Sequence, residues 1–356
     1  MSKNNPQLNR IFDRSSQLRT NNIKQQLAKA IELNESLKQQ LETTQGAVSV
    51  ELHKINPNPH QPRQSFYVVE EKIESMKQLG QITPIVLTRL PNNKIIIFDG
   101  ECRYRAAMHL KWQTMKAVFI NYQPELFDEQ VLAGAIADCG LNNLDLAAAL
   151  ATRISQVVPK LDSDGVVRIC NTIVKRLKRS GNINLFKGLN KKKQQQQQEA
   201  IAAAKLDEQE RLVIETILAY QLNPITVGLV TLPFLRLPED IKAQIRDRGL
   251  SDSNAKIIGT VRQENNRLKI TKNKALKIRQ KLCELALTNH WTNTQTRKAV
   301  AEAVASYLIK KDTQVKNLEK SIAAIEQINL KQYSQAELER LKQVLMQKLE
   351  EIRNNK

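Results

Sequence analysis

The stretch Ile95-Ile96-Ile97-Phe98-Asp99-Gly100-Glu101-Cys102-Arg103-Tyr104-Arg105-Ala106-Ala107-Met108-His109 decides the fold, because a short apolar run stops at a glycine and turns directly into a helical pattern. Ile95–Phe98 is β-branched and aromatic, the signature of a core strand. Gly100 lets the backbone approach a ligand closely, and Tyr104, Ala107, Met108 and Lys111 fall near one helical face. The unbonded N–H groups of a helix's first turn, with Arg103 and Arg105 beside them, suit phosphate oxygens. The alternative is a plain turn before a solvated basic helix face; a short motif does not separate the two.

Outside this stretch, the 356 residues carry a formal net charge of +19 and a pI near 9.8. That length suits about two or three domains. The 41% hydrophobic and 4% aromatic content points to helical architecture with several small cores. The charge favours a polyanionic partner, nucleic acid first and an anionic membrane surface second. Cys102, Cys139, Cys170 and Cys283 form no Cys-x-x-Cys pair and the histidines do not cluster with them, so neither a zinc site nor a disulfide framework is expected. With no signal peptide and no apolar run of about eighteen residues, a soluble cytoplasmic protein without membrane attachment is expected.

Residues 1–20 are polar, and from Asn21 to Thr44 the residues Ile23, Leu27, Ile31, Leu37 and Leu41 recur at helical intervals. This predicts an amphipathic helix, either a short coiled coil with Asn34 in its seam or a helix lying on the next domain. Val48–Ile55 alternates, and the prolines of Pro57–Arg63 then exclude a helix. Glu70–Leu79 reads as a helix ended by Gly80, Pro84–Arg89 and Lys94–Phe98 as a hairpin around Pro91-Asn92-Asn93, and Met115–Ile120 as a further strand. The result is a small α/β unit, followed by a helical Asn143–Val158.

Three motifs within it, Pro57-Asn58-Pro59-His60-Gln61-Pro62-Arg63, Gly80-Gln81-Ile82-Thr83-Pro84-Ile85 and Gly100-Glu101-Cys102-Arg103-Tyr104-Arg105-Ala106, resemble the N-terminal domain of ParB-type partition proteins, a ParB/sulfiredoxin-like fold. The resemblance implies CTP with Mg2+ as ligand, with Gly100, Glu101, Arg103, Tyr104 and Arg105 at its triphosphate and Gln61, Arg63, Gly80 and Thr83 at base and sugar. The family's Gly-Glu-Arg-Arg is Gly-Glu-Cys-Arg here, and its Glu-Asn-x-x-Arg motif falls on Asp138-Cys139-Gly140-Leu141-Asn142. Asp138 is then the candidate metal ligand and, with Glu101, the candidate catalytic carboxylate of a slow CTPase. Asn142 stands where the family places an arginine; forgoing a cation–phosphate pair costs about 1.5–3 kcal/mol. Sulfiredoxins share the fold, but aligning their Phe-Gly-Gly-Cys-His-Arg on Arg103 places their cysteine at Glu101, one position from Cys102. A sulfiredoxin-like or phosphotransferase enzyme is therefore a lesser alternative.

From Asn171 to Lys193 the chain carries Lys175, Arg176, Lys178, Arg179, Lys187, Lys191, Lys192 and Lys193 without one acid, a composition suited to phosphate backbones. The tract Lys191–Gln198 reads as a linker or frayed helix end. Leu206–Tyr220 and Ile225–Leu235 read as a helix-turn-helix, and the following Leu237-Pro238-Glu239 and Leu250–Lys256 resemble the stretch after the family's own helix-turn-helix. That resemblance implies Thr226, Val227 and Thr231 near the groove-facing helix and Asn254 and Lys256 near DNA, while Pro233 is expected to interrupt the helix. Val261–Lys281 is a second basic tract, with Arg262, Arg267, Lys269, Lys272, Lys274, Lys277, Arg279 and Lys281 against Glu264. Leu338, Leu341, Leu345, Leu349 and Ile352 form a helical seam that suits self-association or docking on its own domain.

The expected organisation is α+β and predominantly helical: a tail and amphipathic helix at 1–47, the ParB-like domain at 48–160, a basic Gln-rich connector at 161–205, a DNA-binding domain at 206–290 and a helical dimerisation region at 291–356. By family resemblance the expected function is a homodimeric, centromere-binding partition protein acting as a CTP-dependent clamp on double-stranded DNA, in the cytoplasm with nucleoid or plasmid. A ParA-type ATPase would be recruited through Arg10, Arg14 and Arg19. The main alternative is a nucleotide-independent DNA-binding regulator.

Overall fold

The hairpin read from the sequence forms the centre of a mixed five-stranded sheet in the order β1 (Val48–Glu51), β5 (Thr114–Ile120), β3 (Ile85–Arg89), β4 (Ile95–Asp99), β2 (Ile55–Asn56). The structure is a computed structural model that describes residues 22, 24–36, 46–137, 140–158, 160–262 and 270–354. β3 runs antiparallel to β4 and parallel to β5, while β2 joins β4 in parallel. Strand alternation sends Ile85, Leu87, Ile95 and Ile97 to one face, where α2 (Val69–Leu79) and α3 (Glu101–His109) contribute Met76, Tyr104, Ala106 and Ala107. Val86, Ile96 and Phe98 face the other way, onto Phe127 and Val131 of α4 (Phe127–Ala137). Met108 is half exposed and Lys111 exposed, so the inner face of α3 is narrower than its spacing predicts.

An amphipathic helix, α1 (24–36), buries Leu27 and Ala30. Asn34 donates from Nδ2 to the Gln130 carbonyl of α4 at 2.9 Å, so α1 lies on the next domain rather than presenting Asn34 to a coiled coil; Ile23, Leu37 and Leu41 lie outside the described residues. The core that Leu27 joins continues through α4, α5 (Asn143–Val157), α6 (Ser163–Arg179), α8 (Glu208–Ala219), α9 (Pro224–Arg236), α10 (Glu239–Arg248), α11 (Asp252–Ile258) and α12 (Lys272–Thr288). Residue 160, expected as a boundary, falls within that core's span.

A separate core of Ile173, Leu177, Phe186, Leu189, Ala200, Ile201, Ile214 and Leu218 folds up the basic segment. Its Gln tract opens α7 (Gln194–Ala203), and Gln197 Nε2 donates to the carbonyls of Leu189 and Lys192 at 3.1 and 3.0 Å. The tract is therefore structured, not a linker: its amides satisfy backbone carbonyls of the preceding turn.

α8 and α9 are bent by 110°, a helix-turn-helix angle. Asn223 caps α9, its Oδ1 accepting from the N–H groups of Ile225 and Thr226. α9 passes through a π turn at Val227–Thr231 into a 3-10 stretch at Leu232–Arg236 that contains Pro233, which lacks the N–H an α-helix needs. Gly228 brings α9 onto α6, where a Cβ would meet Cys170 and Val174 at 3.4 Å. The first part of α13 (Asn293–Glu326) packs Val300, Ala303, Val304 and Tyr307 onto the helical cores. Leu318, Ile322 and Ile325 farther along it, and Leu345 and Leu349 of α14 (Gln335–Asn354), are exposed. Among the described residues no single helix is long and apolar enough to cross a membrane.

One member of the second basic tract is structural. Arg279 is buried, with Nε and Nη2 each donating at 2.8 Å to Asp240 and Nη1 donating to the Val261 carbonyl at 2.7 Å. It is not a phosphate contact. Chemical denaturation of Arg279→Ala is expected to report a loss of about 3–5 kcal/mol, because a mostly buried carboxylate is left unpaired. The exposed Lys277→Ala should stay within about 0.5 kcal/mol of wild type.

Candidate nucleotide pocket and nucleic-acid interface

The β4–α3 junction opens onto a pocket of about 560 Å³. Gly100 sits there at φ 101°, and a Cβ would come within 2.6 Å of Ile85, so only glycine fits. Gln61, Arg63, Thr83, Glu101 and Arg103, all named from sequence, line the pocket with Gly100. Lys72 of α2, Cys102, Ile31 and Asn34 of α1, and Gln130, Val131 and Gly134 of α4 also line it, with the acids Glu35 and Asp99 among the remaining residues. The sequence reading missed Lys72 and the α1–α4 wall. Spacing places Lys72 on the flank of a helix whose Val69, Ile73 and Met76 face the sheet, but not against which neighbour.

The cations divide into two kinds. Arg63 and Lys72 have no ion-pair partner among the described residues. Arg103 is engaged: Nη1 donates to the carbonyls of Thr83 and Pro84 at 3.0 and 2.6 Å, and Nη2 pairs with Asp99 at 2.8 Å. It braces the 83–84 loop against the β4–α3 turn. Arg105 points away from the pocket, pairing with Glu101 at 2.9 Å and lying 3.6 Å over the Phe66 ring.

Three other expected ligands do not line the pocket. Gly80 caps α2 at φ 68°. Tyr104 is buried and donates its hydroxyl to the Ile55 carbonyl at 3.2 Å. Asn142 caps α5, its Oδ1 accepting from Asp145 N at 2.8 Å and its Nδ2 donating to Ser65 Oγ at 2.6 Å. Asp138, the expected metal ligand, and Cys139 lie outside the described residues. Among the described residues no group of three or more His, Cys, Asp or Glu side chains could hold a metal ion.

Glu101 is 4% exposed, and its Oε2 has no hydrogen-bond partner among the described residues. Burial pushes its carboxyl above the usual range, against the opposing pull of Arg105. Burial also raises the Cys102 thiol, despite Arg63, Arg105 and Lys72 nearby. A thiol held protonated is a poor nucleophile, which disfavours sulfiredoxin-like chemistry at this position.

In the helical half, Lys175, Lys178, Arg179 and Thr226 are exposed as expected. Arg176 is instead a brace: its guanidinium clasps the buried Glu210 carboxylate through both terminal nitrogens. Val227 is in the core and Thr231 is buried, donating from Oγ1 to Asn143 Oδ1 at 2.9 Å. The exposed large apolar side chains of α9 are Leu229 and Val230, at 40% and 41%. Asn254 is buried, donating to the Trp291 carbonyl and accepting from Thr296 Oγ1, both at 2.9 Å. Lys256 reaches across to α9, with Nζ 3.4 Å from the Val230 carbonyl and 5.5 Å from the Phe234 ring centroid.

Residues 34–133 match the family model for the ParB N-terminal domain. A probable chromosome-partitioning protein ParB of Helicobacter pylori is 33% identical over 119 residues, which is 33% of this chain and 41% of that protein. The chain thus matches less than half of that relative's length. The C-terminally truncated ParB of Caulobacter crescentus complexed to the centromeric parS site aligns at 14% identity over 72% of this chain and 99% of that one, with a TM-score of 0.30. The same protein complexed with CTP-gamma-S aligns at 16% identity over 60% and 92%, with a TM-score of 0.25.

The state of Glu101 is accessible to measurement. An acid with a raised folded-state pKa holds its proton more readily folded than unfolded, so its contribution to stability falls as pH rises from the ordinary carboxylate range through the raised value. Thermal melts of Glu101→Gln should therefore exceed wild type at neutral pH. The gap should close as pH drops below the ordinary glutamate range.

Proposed function

We propose, taking residues 34–133 as a ParB N-terminal domain, that this chain is a partition protein that binds duplex DNA through its helical half and a cytidine triphosphate in the pocket at Gly100. The pocket carries the reading. It combines a glycine turn that no side chain fits, the first turn of α3 and, among the described residues, two cations without an ion-pair partner, Arg63 and Lys72, and a buried carboxylate oxygen lacking a donor. Backbone N–H groups at a helix start and unpaired cations suit phosphate oxygens; the apolar wall of Ile31 and Val131 suits a base.

When bound, Mg2+ would neutralise phosphate charge and, keeping several of its own waters, needs only one or two protein carboxylates. Glu101 and Asp138 are the residues for that role. Slow hydrolysis belongs to the same reading, since a carboxyl raised by burial is better matched to taking a proton from water. On the DNA side, Thr226, Leu229 and Val230 would face the groove while Lys175, Lys178, Arg179 and Lys256 hold phosphates. The exposed stripes of α13 and α14 suit a homodimer contact, and a ParA-type ATPase would meet the basic tail before α1. Cytoplasmic residence on nucleoid or plasmid follows from the DNA role.

One observation favours a second reading. The turn's own Arg103 is engaged by Thr83, Pro84 and Asp99, which leaves fewer cations for a triphosphate and favours a nucleotide-independent regulator. Calorimetric titration with CTP separates the two: the proposed reading requires binding, and no heat at millimolar nucleotide selects the regulator. Arg63→Ala should weaken CTP by about 1.5–3 kcal/mol, whereas Arg105→Ala should change it little. Replacing Leu229 and Val230 together by serine should remove discrimination between sequences in a duplex-binding assay and leave salt-sensitive binding in place.

A further inference from the structure

The segment from residue 182 to residue 193 is placed by two hydrogen bonds that neither core packing nor helix formation requires. Asn190 Nδ2 donates to the Gln221 carbonyl at 2.8 Å, and Asn223 Nδ2 donates to the Phe186 carbonyl at 2.9 Å. Gln221 and Asn223 are the turn between α8 and α9, and Asn223 is also the cap of α9. Phe186 and Leu189 anchor the segment in its own core. It is thus fixed beside the N-terminal end of the helix proposed to read DNA.

Its side chains are of one sign. Lys187, Lys191 and Lys193 are exposed, have no ion-pair partner among the described residues, and belong to a stretch with no acid from residue 171 to residue 198. Lys192 is held back, its Nζ donating to the Leu185 carbonyl at 3.2 Å. A helix-turn-helix presents the N-terminal part of its second helix to the major groove, so whatever stands beside that end lies over the flanking phosphates. Lysines there act as point charges, without reading bases.

We infer that residues 182–193 form a wing on the helix-turn-helix that grips the phosphate backbone of duplex DNA beside the recognition helix through Lys187, Lys191 and Lys193. The wing extends the footprint and the affinity, and leaves sequence choice to α9. This inference rests on the DNA-binding reading and is separable from it by experiment.

The test uses the full chain, a pool of short random-sequence duplexes, and the triple variant Lys187→Gln, Lys191→Gln, Lys193→Gln, with a charge-matched control, Lys77→Gln, Lys94→Gln, Lys111→Gln, on exposed positions of the sheet domain. Binding is measured across a salt series. The wing predicts that the slope of log affinity against log salt becomes shallower by up to about 2.7 in the triple variant, at about 0.9 for each phosphate no longer neutralised. The control should keep the wild-type slope, and the ranking of sequences recovered from the pool should be unchanged. Asn190→Ala, which removes one of the segment's two bonds to the turn while keeping every charge, should weaken binding in the same direction.

A triple variant with the wild-type slope overturns the wing and leaves the DNA-binding reading intact. Equal losses in triple variant and control overturn it as well, since total charge is then the cause. A wild-type chain with no salt-dependent duplex binding overturns the wing together with the reading beneath it.

Discussion

Much of the molecule depends on the first turn of α5. Asp145 is fully buried with no ion-pair partner among the described residues; its Oδ2 accepts from the backbone N–H groups of Gln64 and Ser65 at 3.1 and 3.0 Å, while its Oδ1 has no hydrogen-bond partner among those residues. A buried carboxylate is tolerable only when donors replace its lost hydration, and the positive end of a helix adds to the compensation. Asn142 closes the same group from below by capping the helix and holding Ser65. Its neighbour Asn143 faces the other way. Its backbone and side-chain N–H groups donate to Asp252 Oδ2 at 2.9 and 2.7 Å, and its Oδ1 accepts from Thr231. One helix start therefore grips the loop that carries Gln61 and Arg63 on one side, and Thr231 within α9 and the start of α11 on the other.

That arrangement explains why the pocket and the α8–α11 helices share a core although the sequence reads them as separate domains. Tyr67, at the end of the same loop, lies against Gly249, where an added Cβ would strike its ring at 2.6 Å. Loop, α5 and the α10–α11 turn are thus in contact without a flexible connector. Deeper in, Tyr220 after α8 donates its hydroxyl to the buried Glu129 of α4, which also pairs with Arg153 of α5. Under the proposed function, a nucleotide that moved the 61–65 loop would have to move or break this junction. Any influence on DNA binding would then equal the influence of DNA on the nucleotide.

The sheet was legible because its strands are β-branched and bounded by glycine, proline and asparagine, signals that act locally. The pocket was legible in outline for the same reason: Gly100 needs its φ whatever surrounds it. What residue type does not reveal is whether a polar side chain is available or already engaged. Arg103, Arg176 and Arg279 have the same composition as a ligand-binding arginine, yet each serves a carboxylate or carbonyls brought close only by the fold. Asn142 and Asn254 likewise satisfy internal backbone. On α9 the resemblance pointed to Thr226, Val227 and Thr231, of which only Thr226 is exposed; Val227 and Thr231 are buried, while Leu229 and Val230 are exposed.

Under the proposed function, the way the cations divide also constrains how DNA would be read. Arginine's planar fork fits carboxylates and carbonyls, and the fold uses it there, in Arg103, Arg176, Arg248 and Arg279. The basic groups left exposed along α6 and the segment after it are mostly lysines: Lys175, Lys178, Lys187, Lys191 and Lys193. An ammonium is a strongly hydrated point charge, suited to holding phosphate but poor at the bidentate recognition of guanine that arginine provides. The exposed residues on α9 are Thr226, Leu229, Val230 and, at its end, Arg236; the methyl groups of the first three match the thymine methyl in the major groove. Under the proposed function, affinity on this surface would be carried mainly by lysine and be salt-dependent, while choice of sequence would fall to a short, mostly apolar face packed on α6 at Gly228 and interrupted at Pro233.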